Sequence, residues 1–429
     1  MLALLRSPWT WAVLLGIVVI VVVVLVTSGG GDDEAVSAIT DIERSPDVPI
    51  VIPAGEPIVI GVSGPLSGPT ETFGIEGRQA AAVGVELWKA ANGDTIDTWS
   101  SGGHAIEIHA EDDGCFDADI TLRAAGHLLY GRDDHRPLPG LVGIIGPTCS
   151  DGASRVVAVY AQAGIVMISG SATRSDLTTS QTSPEFFFRT AYSNSQEAAL
   201  QARYVINELG ANTAYVIDDN ERYGTDLANS LQARLRGGGV EVTRESINVA
   251  EDVDFSDLAG RVASENPEVV VFAGFNPEGA LLYRQLRDAG YSGMYLSGDG
   301  VVSVSDFIEP LGEITEGVVF AGCSLTLPEE FLSDYVRIIG SEPETPFPAQ
   351  FVDAVTVLLD AVAQVAEEQA DGSLLIDPLA LRAAVATAEL PGVSGAVAFD
   401  ENGDRVGEGA EVGLQMCRVE GGRLVNFDF

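Results

Sequence analysis

The chain has 429 residues, 46% of them hydrophobic, enough to fill two cores of ordinary domain size. Its formal charge is −40, from 63 acidic against 23 basic residues with Lys89 the sole lysine, which argues against a nucleic-acid partner because the phosphate backbone demands a cationic face. An acidic shell keeps a protein solvated and names no partner by itself.

Residues 8–26, PWTWAVLLGIVVIVVVVLV, are uncharged and follow Arg6. A run of about 20 apolar residues spans a bilayer, and the flanking arginine predicts a cytoplasmic N-terminus with everything after Thr27 exported. Residues 1–27 are therefore expected to be a transmembrane anchor, with a signal peptide cut after Gly30 as the alternative. No cysteine follows the run, so a lipoprotein attachment site is absent. Either way the body lies outside the cytoplasm, on the membrane's extracytoplasmic face or free in the periplasm. Residues 28–56 mix glycine, acid and proline without period and read as a flexible acidic linker.

From Pro57 the pattern alternates strand and helix. Strand Ile58–Ser63, helix Gly77–Ala91, strand Ala105–Glu111 and helix Asp117–Tyr130 lead into LVGIIGPTCSDGASRVVAVYAQAGIVMISGSAT at 141–173. A second series runs from helix Ser195–Leu209 through strand Thr213–Ile217, helix Gly224–Arg236, strand Val240–Thr243, helix Phe255–Ser264, strand Val269–Ala273 and helix Pro277–Ala289 to strand Met294–Ser297. Helices Ala349–Gln369 and Pro378–Glu389 precede a hairpin-like tail with a turn at Glu401–Asp404. The fold class is α/β: two Rossmann-like lobes, each a parallel sheet flanked by helices, around a cleft. The expected division is 57–189 and 323–394 for the first lobe, 190–322 and 395–429 for the second.

Four cysteines, Cys115, Cys149, Cys323 and Cys417, lie in the exported part, where disulfides persist. Three pairings are possible. Cys115 and Cys149 follow neighbouring parallel strands in turns of the same kind, which favours that pair and leaves Cys323 with Cys417. The histidines His104, His109, His127 and His135 have no metal-ligand spacing, and no nucleophile elbow, P-loop or dinucleotide fingerprint occurs. No catalytic set, metal or cofactor is expected.

What the chain does have is a cradle. Ser150 opens a helix just beyond a strand, so its hydroxyl and the first free backbone N–H groups suit an anion, most simply a carboxylate. The next strand delivers Ser171 and Thr173 to the same carboxyl edge, where open α/β sheets hold ligands.

Seven segments in order, VSGPLSGP with FG at 62–74, EDDGC at 111–115, IIGPTCS at 144–150, ISGSAT at 168–173, DDNERYG at 218–224, FAGFNPEG at 272–279 and SGDGV at 297–301, resemble the type 1 periplasmic binding proteins of branched-chain amino-acid uptake. The likeness covers Ile58 to the C-terminus. It implies two lobes that close on a ligand and present it to an ABC permease in the membrane, without covalent chemistry. Residue by residue, it implies Ser150 and Thr173 on a ligand carboxylate, Ser171 and Ala172 contributing the loop between, Asp299 on an ammonium, and Tyr223 closing over both. Phe275 stands where many relatives have tyrosine. Phe73 and Phe347 match aromatic pocket positions, while Arg174, immediately after Thr173, reads as an exposed arginine, with reach to a ligand side chain as the alternative. Cys115 with Cys149 matches a disulfide of the group. A small amino acid is the implied ligand, while a tethered sensor of the same fold, or a receptor for amides, urea or aromatic acids, is the alternative.

Overall fold

A computed structural model describes residues 44–92, 103–131, 138, 140–179, 185–248, 254–323, 327–406 and 414–429. The expected anchor, the cleavage position after Gly30, the linker up to residue 43 and His135 lie outside the described residues. Residues 41–429 belong to one compact unit.

The first lobe is a five-stranded parallel sheet in the order Ile106–Asp112, Ile58–Gly64, Leu141–Ile145, Val166–Ser169, Phe187–Arg189. Ile58–Gly64 and Leu141–Ile145 are buried along their whole length, as strands covered on both faces must be. Helices Glu71–Asn92 and Pro348–Val365 pack against each other on this core. Gly77 and Gly84, one heptad apart on the first helix, allow the approach: a Cβ at either would stand 3.0 Å from Phe351 or Val355 respectively. Pro348–Val365 is apolar and long enough to cross a membrane, but it is the core helix of this lobe, with Val352, Val355 and Leu358 buried. Each such side chain contributes about 1.5–3 kcal/mol by leaving water.

The second lobe has seven strands in the order Arg423–Phe427, Met416–Glu420, Val319–Ala321, Met294–Ser297, Val269–Ala273, Thr213–Asp218, Glu241–Ser246. The last five are parallel, and Met416–Glu420 and Arg423–Phe427 add an antiparallel hairpin at the edge. Val269–Ala273 serves two cores at once. Val270 and Phe272 pack on one face of the sheet, and Val269, Val271 and Ala273 on the other.

Several expectations are corrected. Residues 44–56 are not all linker: Ile50–Ile52 is a strand paired antiparallel with Leu374–Ile376, burying Ile50 and Ile52 while Val51 faces out. The body therefore begins before Pro57. The last crossover also lies later than 395, since Val397 packs in the first lobe's core and Arg405 donates to Thr190 O and Ser394 Oγ, whereas Met416–Glu420 joins the second sheet. Helix Glu329–Ile339 and the short strands Phe187–Arg189 and Val319–Ala321 were not anticipated, and the helix expected over 195–209 ends at Arg203 and continues as a π-helical turn, Tyr204–Glu208. Three-residue strands are too short to show a period.

Candidate functional site

In each sheet the central strands send their carboxyl ends toward one cavity. Ser150 is the first residue of helix Ser150–Gln162, after the extended N-cap Cys149. Cys149 is joined to Cys115 with the Cα atoms 5.4 Å apart, and Cys323 is joined to Cys417. The first bridge anchors the start of the Ser150 helix to the turn after the neighbouring strand. That turn is organised by buried Asp113, which accepts from Ser63 Oγ at 2.8 Å and from Cys115 N at 3.0 Å; burial pushes its carboxyl up to about 6.

The loop 169–174 closes against this helix start. Ser150 Oγ accepts from Arg174 N at 3.1 Å, which leaves the hydroxyl hydrogen for another acceptor. Ser171 Oγ donates to Thr148 O at 2.8 Å. Ser169 Oγ takes the N–H groups of Ala172 at 2.9 Å and, more weakly, of Ser171 at 3.3 Å, so both already have an acceptor within the loop. Ala172 packs in the first lobe's core rather than on the cavity wall. Arg174 turns away too, to Asp176 at 2.6 Å and Ser154 Oγ at 3.0 Å. Arg189, which sequence reasoning missed, underpins the loop by donating to Arg174 O at 2.7 Å and Ala172 O at 3.3 Å.

The second lobe supplies the opposite wall. Asp299 follows strand Met294–Ser297 and is 3% exposed. Its Oδ2 accepts from Tyr192 Oη at 2.9 Å, and Tyr223 Oη stands beside it while accepting from Gly300 N at 3.3 Å. Burial pushes the Asp299 carboxyl up to about 6, and hydrogen bonds from Tyr223 and Tyr192 hold it back from rising further. Phe275 forms an aromatic corner, with ring centroids 4.9 Å from Tyr223, 5.5 Å from Phe116 and 6.1 Å from Phe73. Phe347 lies beside Tyr192, 6.0 Å between centroids.

Together Phe73, Thr148, Ser150, Ser171, Thr173, Tyr223, Phe275, Asp299, Gly300 and Phe347 enclose about 280 Å³, solvent at the mouth included. Thr148 and Gly300 were not anticipated as wall residues, although both sit inside segments singled out in the sequence. The lobes meet across this space. Asp151 of the Ser150 helix accepts from Arg222 N at 3.2 Å, and Asp226 Oδ2 of the second lobe accepts from Ser175 N at 2.9 Å.

Chemically the cavity is divided. One end offers hydroxyls and a helix N-terminus, suited to an anion. The other offers a buried carboxylate, suited to a cation, and aromatic rings lie between and around them. Among the described residues no group of three or more His, Cys, Asp or Glu side chains is arranged to hold a metal ion.

A sequence model of the periplasmic binding protein family matches residues 57–420. The Leu/Ile/Val-binding protein BraC3 of Rhizobium johnstonii is 27% identical over 377 residues, 86% of this chain and 93% of that protein. The Leu/Ile/Val-binding protein homolog 3 of Brucella melitensis is 29% identical over 304 residues, 70% of this chain and 77% of its own. Among solved structures, a leucine binding protein of Thermotoga maritima superposes with a TM-score of 0.71 at 24% identity, over 86% of this chain and 98% of that one.

Proposed function

The chain belongs to the periplasmic binding protein family, and from that premise we propose that it is the extracytoplasmic receptor of an ABC-type importer, closing its two lobes on a small α-amino acid of the branched-chain type. The observation that carries this reading is the division of the cavity between Ser150 and Thr173 on one lobe and Asp299 on the other. A carboxylate and an ammonium on one carbon satisfy both ends at once. A neutral amide or a plain carboxylic acid leaves Asp299 buried and unpaired, which costs binding energy. The relatives named for leucine, isoleucine and valine binding support the same ligand class.

In this reading the first lobe takes the ligand carboxylate at Ser150 and Thr173, with Ser171 and Thr148 shaping the loop. Closure then brings Asp299 to the ammonium and Tyr223 over the ligand, while Phe73, Phe275 and Phe347 surround its side chain. Contacts made only in the closed form shift the population toward closure, and the closed shape is what a membrane permease reads. The N-terminal apolar segment would hold the receptor at the membrane.

Thermal-shift and calorimetric titration with L-leucine, L-isoleucine and L-valine test the proposal. Saturable binding of at least one is expected. Failure of all three, together with binding of an amide or an aromatic acid, would overturn it.

A further inference from the structure

Directly behind Asp299 lies a second acid that the binding scheme does not use. Glu197 sits in the first turn of helix Asn194–Arg203 and is 0% exposed. Its Oε1 accepts from Asp299 N at 3.3 Å and from Gln201 Nε2 at 3.0 Å. Gly298 makes room for it, since a Cβ there would stand 2.5 Å from Oε1. Its Oε2, by contrast, is buried without a donor, and the Asp299 carboxyl is within hydrogen-bonding reach of the Glu197 side chain.

Two ionised carboxylates are acceptors only and cannot bond to each other. The groups acting most on the pair are Tyr192, Tyr223, Gln201 and the amides of Asp299 and Gly300, with no arginine, lysine or histidine among them. Two buried like charges with no cation cannot both persist. One proton between the two carboxyls removes the repulsion and gives the orphaned oxygen a bond.

We propose that Glu197 is a positioning residue of this site: it keeps a proton, donates it to the Asp299 carboxylate, and so fixes Asp299 toward the cavity as the one negative charge there. The distribution of donors decides which acid keeps the proton. Asp299 has the Tyr192 and Tyr223 hydroxyls and the Gly300 amide supporting its anion, whereas Glu197 has Gln201 and the Asp299 amide on a single oxygen. Burial and the neighbouring Asp299 charge accordingly hold Glu197 well above the ordinary carboxyl range. A site with one net negative charge selects a ligand carrying one ammonium, and a doubly cationic side chain gains nothing from Glu197. This inference rests on the amino-acid reading for its ligand but not for its proton.

The test uses the full-length chain in mild detergent, with infrared spectroscopy near neutral pH and calorimetry with L-leucine. The spectrum of wild type minus Glu197→Gln is expected to contain a protonated-carboxyl C=O band. Glu197→Leu, which removes the donor, is expected to weaken leucine binding about tenfold or more. Glu197→Gln supplies a permanent N–H donor and is expected to recover most of that loss, whereas Glu197→Met, which fills similar space without a donor, is not. If Glu197→Leu fails to fold, the infrared comparison still decides. Absence of the band, or a glutamine variant as impaired as the leucine variant, overturns the proposal. A band that disappears on substitution, in a protein that binds none of leucine, isoleucine and valine, leaves the shared proton standing and removes the amino-acid reading instead.

Discussion

Replacing Asp299 by asparagine separates the binding role of this residue from its cost to the fold. The side chain is 3% exposed, and asparagine keeps its shape and an oxygen for the Tyr192 hydroxyl 2.9 Å away. What disappears is the charge. Removing one partner of a buried charge pair costs about 2–5 kcal/mol, so L-leucine affinity should fall roughly thirty- to several-thousand-fold. Stability should move the other way. A carboxyl pushed from its ordinary value of 3.8 to about 6 by burial destabilises the ligand-free fold above that range, by an amount on the order of a few kcal/mol. Asp299→Asn is therefore expected to melt no lower than the wild type without ligand, while losing most of the thermal shift that leucine produces. Calorimetry and ligand-free thermal melts measure the two effects independently. Unchanged leucine affinity would refute the ammonium role of Asp299, and a marked fall in ligand-free melting temperature would show that the acid is a structural strut instead.

Affinity for a mono-ammonium ligand should fall as the pH drops below about 6, because the raised Asp299 carboxyl takes up a proton there and its charge is lost; calorimetry across that range in buffers of different ionisation enthalpy should also show proton release on binding. Replacing both Cys115 and Cys149 by alanine should cost about 2–4 kcal/mol in denaturant unfolding and weaken ligand binding, since the bridge anchors the start of the Ser150 helix. Phe73→Leu should change affinity by less than about 1.5 kcal/mol, well below the Asp299 effect, because an apolar wall is kept. Asp151→Ala removes the acceptor of Arg222 N across the lobes and is expected to weaken binding severalfold and enlarge the radius of gyration of the ligand-bound protein in small-angle scattering, without touching the cavity wall.

Much of this architecture is legible in the chain itself. Val269–Ala273 is apolar at every position because both faces of the second sheet are covered, and Ser150 announces a helix start by following a strand and a turn. The wall residues Ser150, Ser171, Thr173, Tyr223, Phe275 and Asp299 are all in short segments that follow strands, where α/β sheets place ligands. Other features depend on contacts between distant parts of the chain. Ile50–Ile52 looks like linker because its partner, Leu374–Ile376, comes late in the sequence. Asn194, Glu197 and Gln201 form a polar stripe that would ordinarily face water, and it is buried because it packs on Tyr223, Asp226 and Asp299 from later in the chain. Ala172 lies inside the recognised segment but one position off the wall, its side chain in the core and its N–H on Ser169. Adjacent residues in an extended loop point to different sides, and the sequence does not say which side faces the cavity.

The central claim is that the cavity reads both charged groups of one α-amino acid. The most direct test is calorimetric titration of the wild type with L-leucine, with its deaminated acid and with its amide. The account predicts that leucine binds tightest and that loss of either charge weakens binding at least about tenfold. Equal or tighter binding of the deaminated acid would contradict it, because Asp299 would then have no cation to meet.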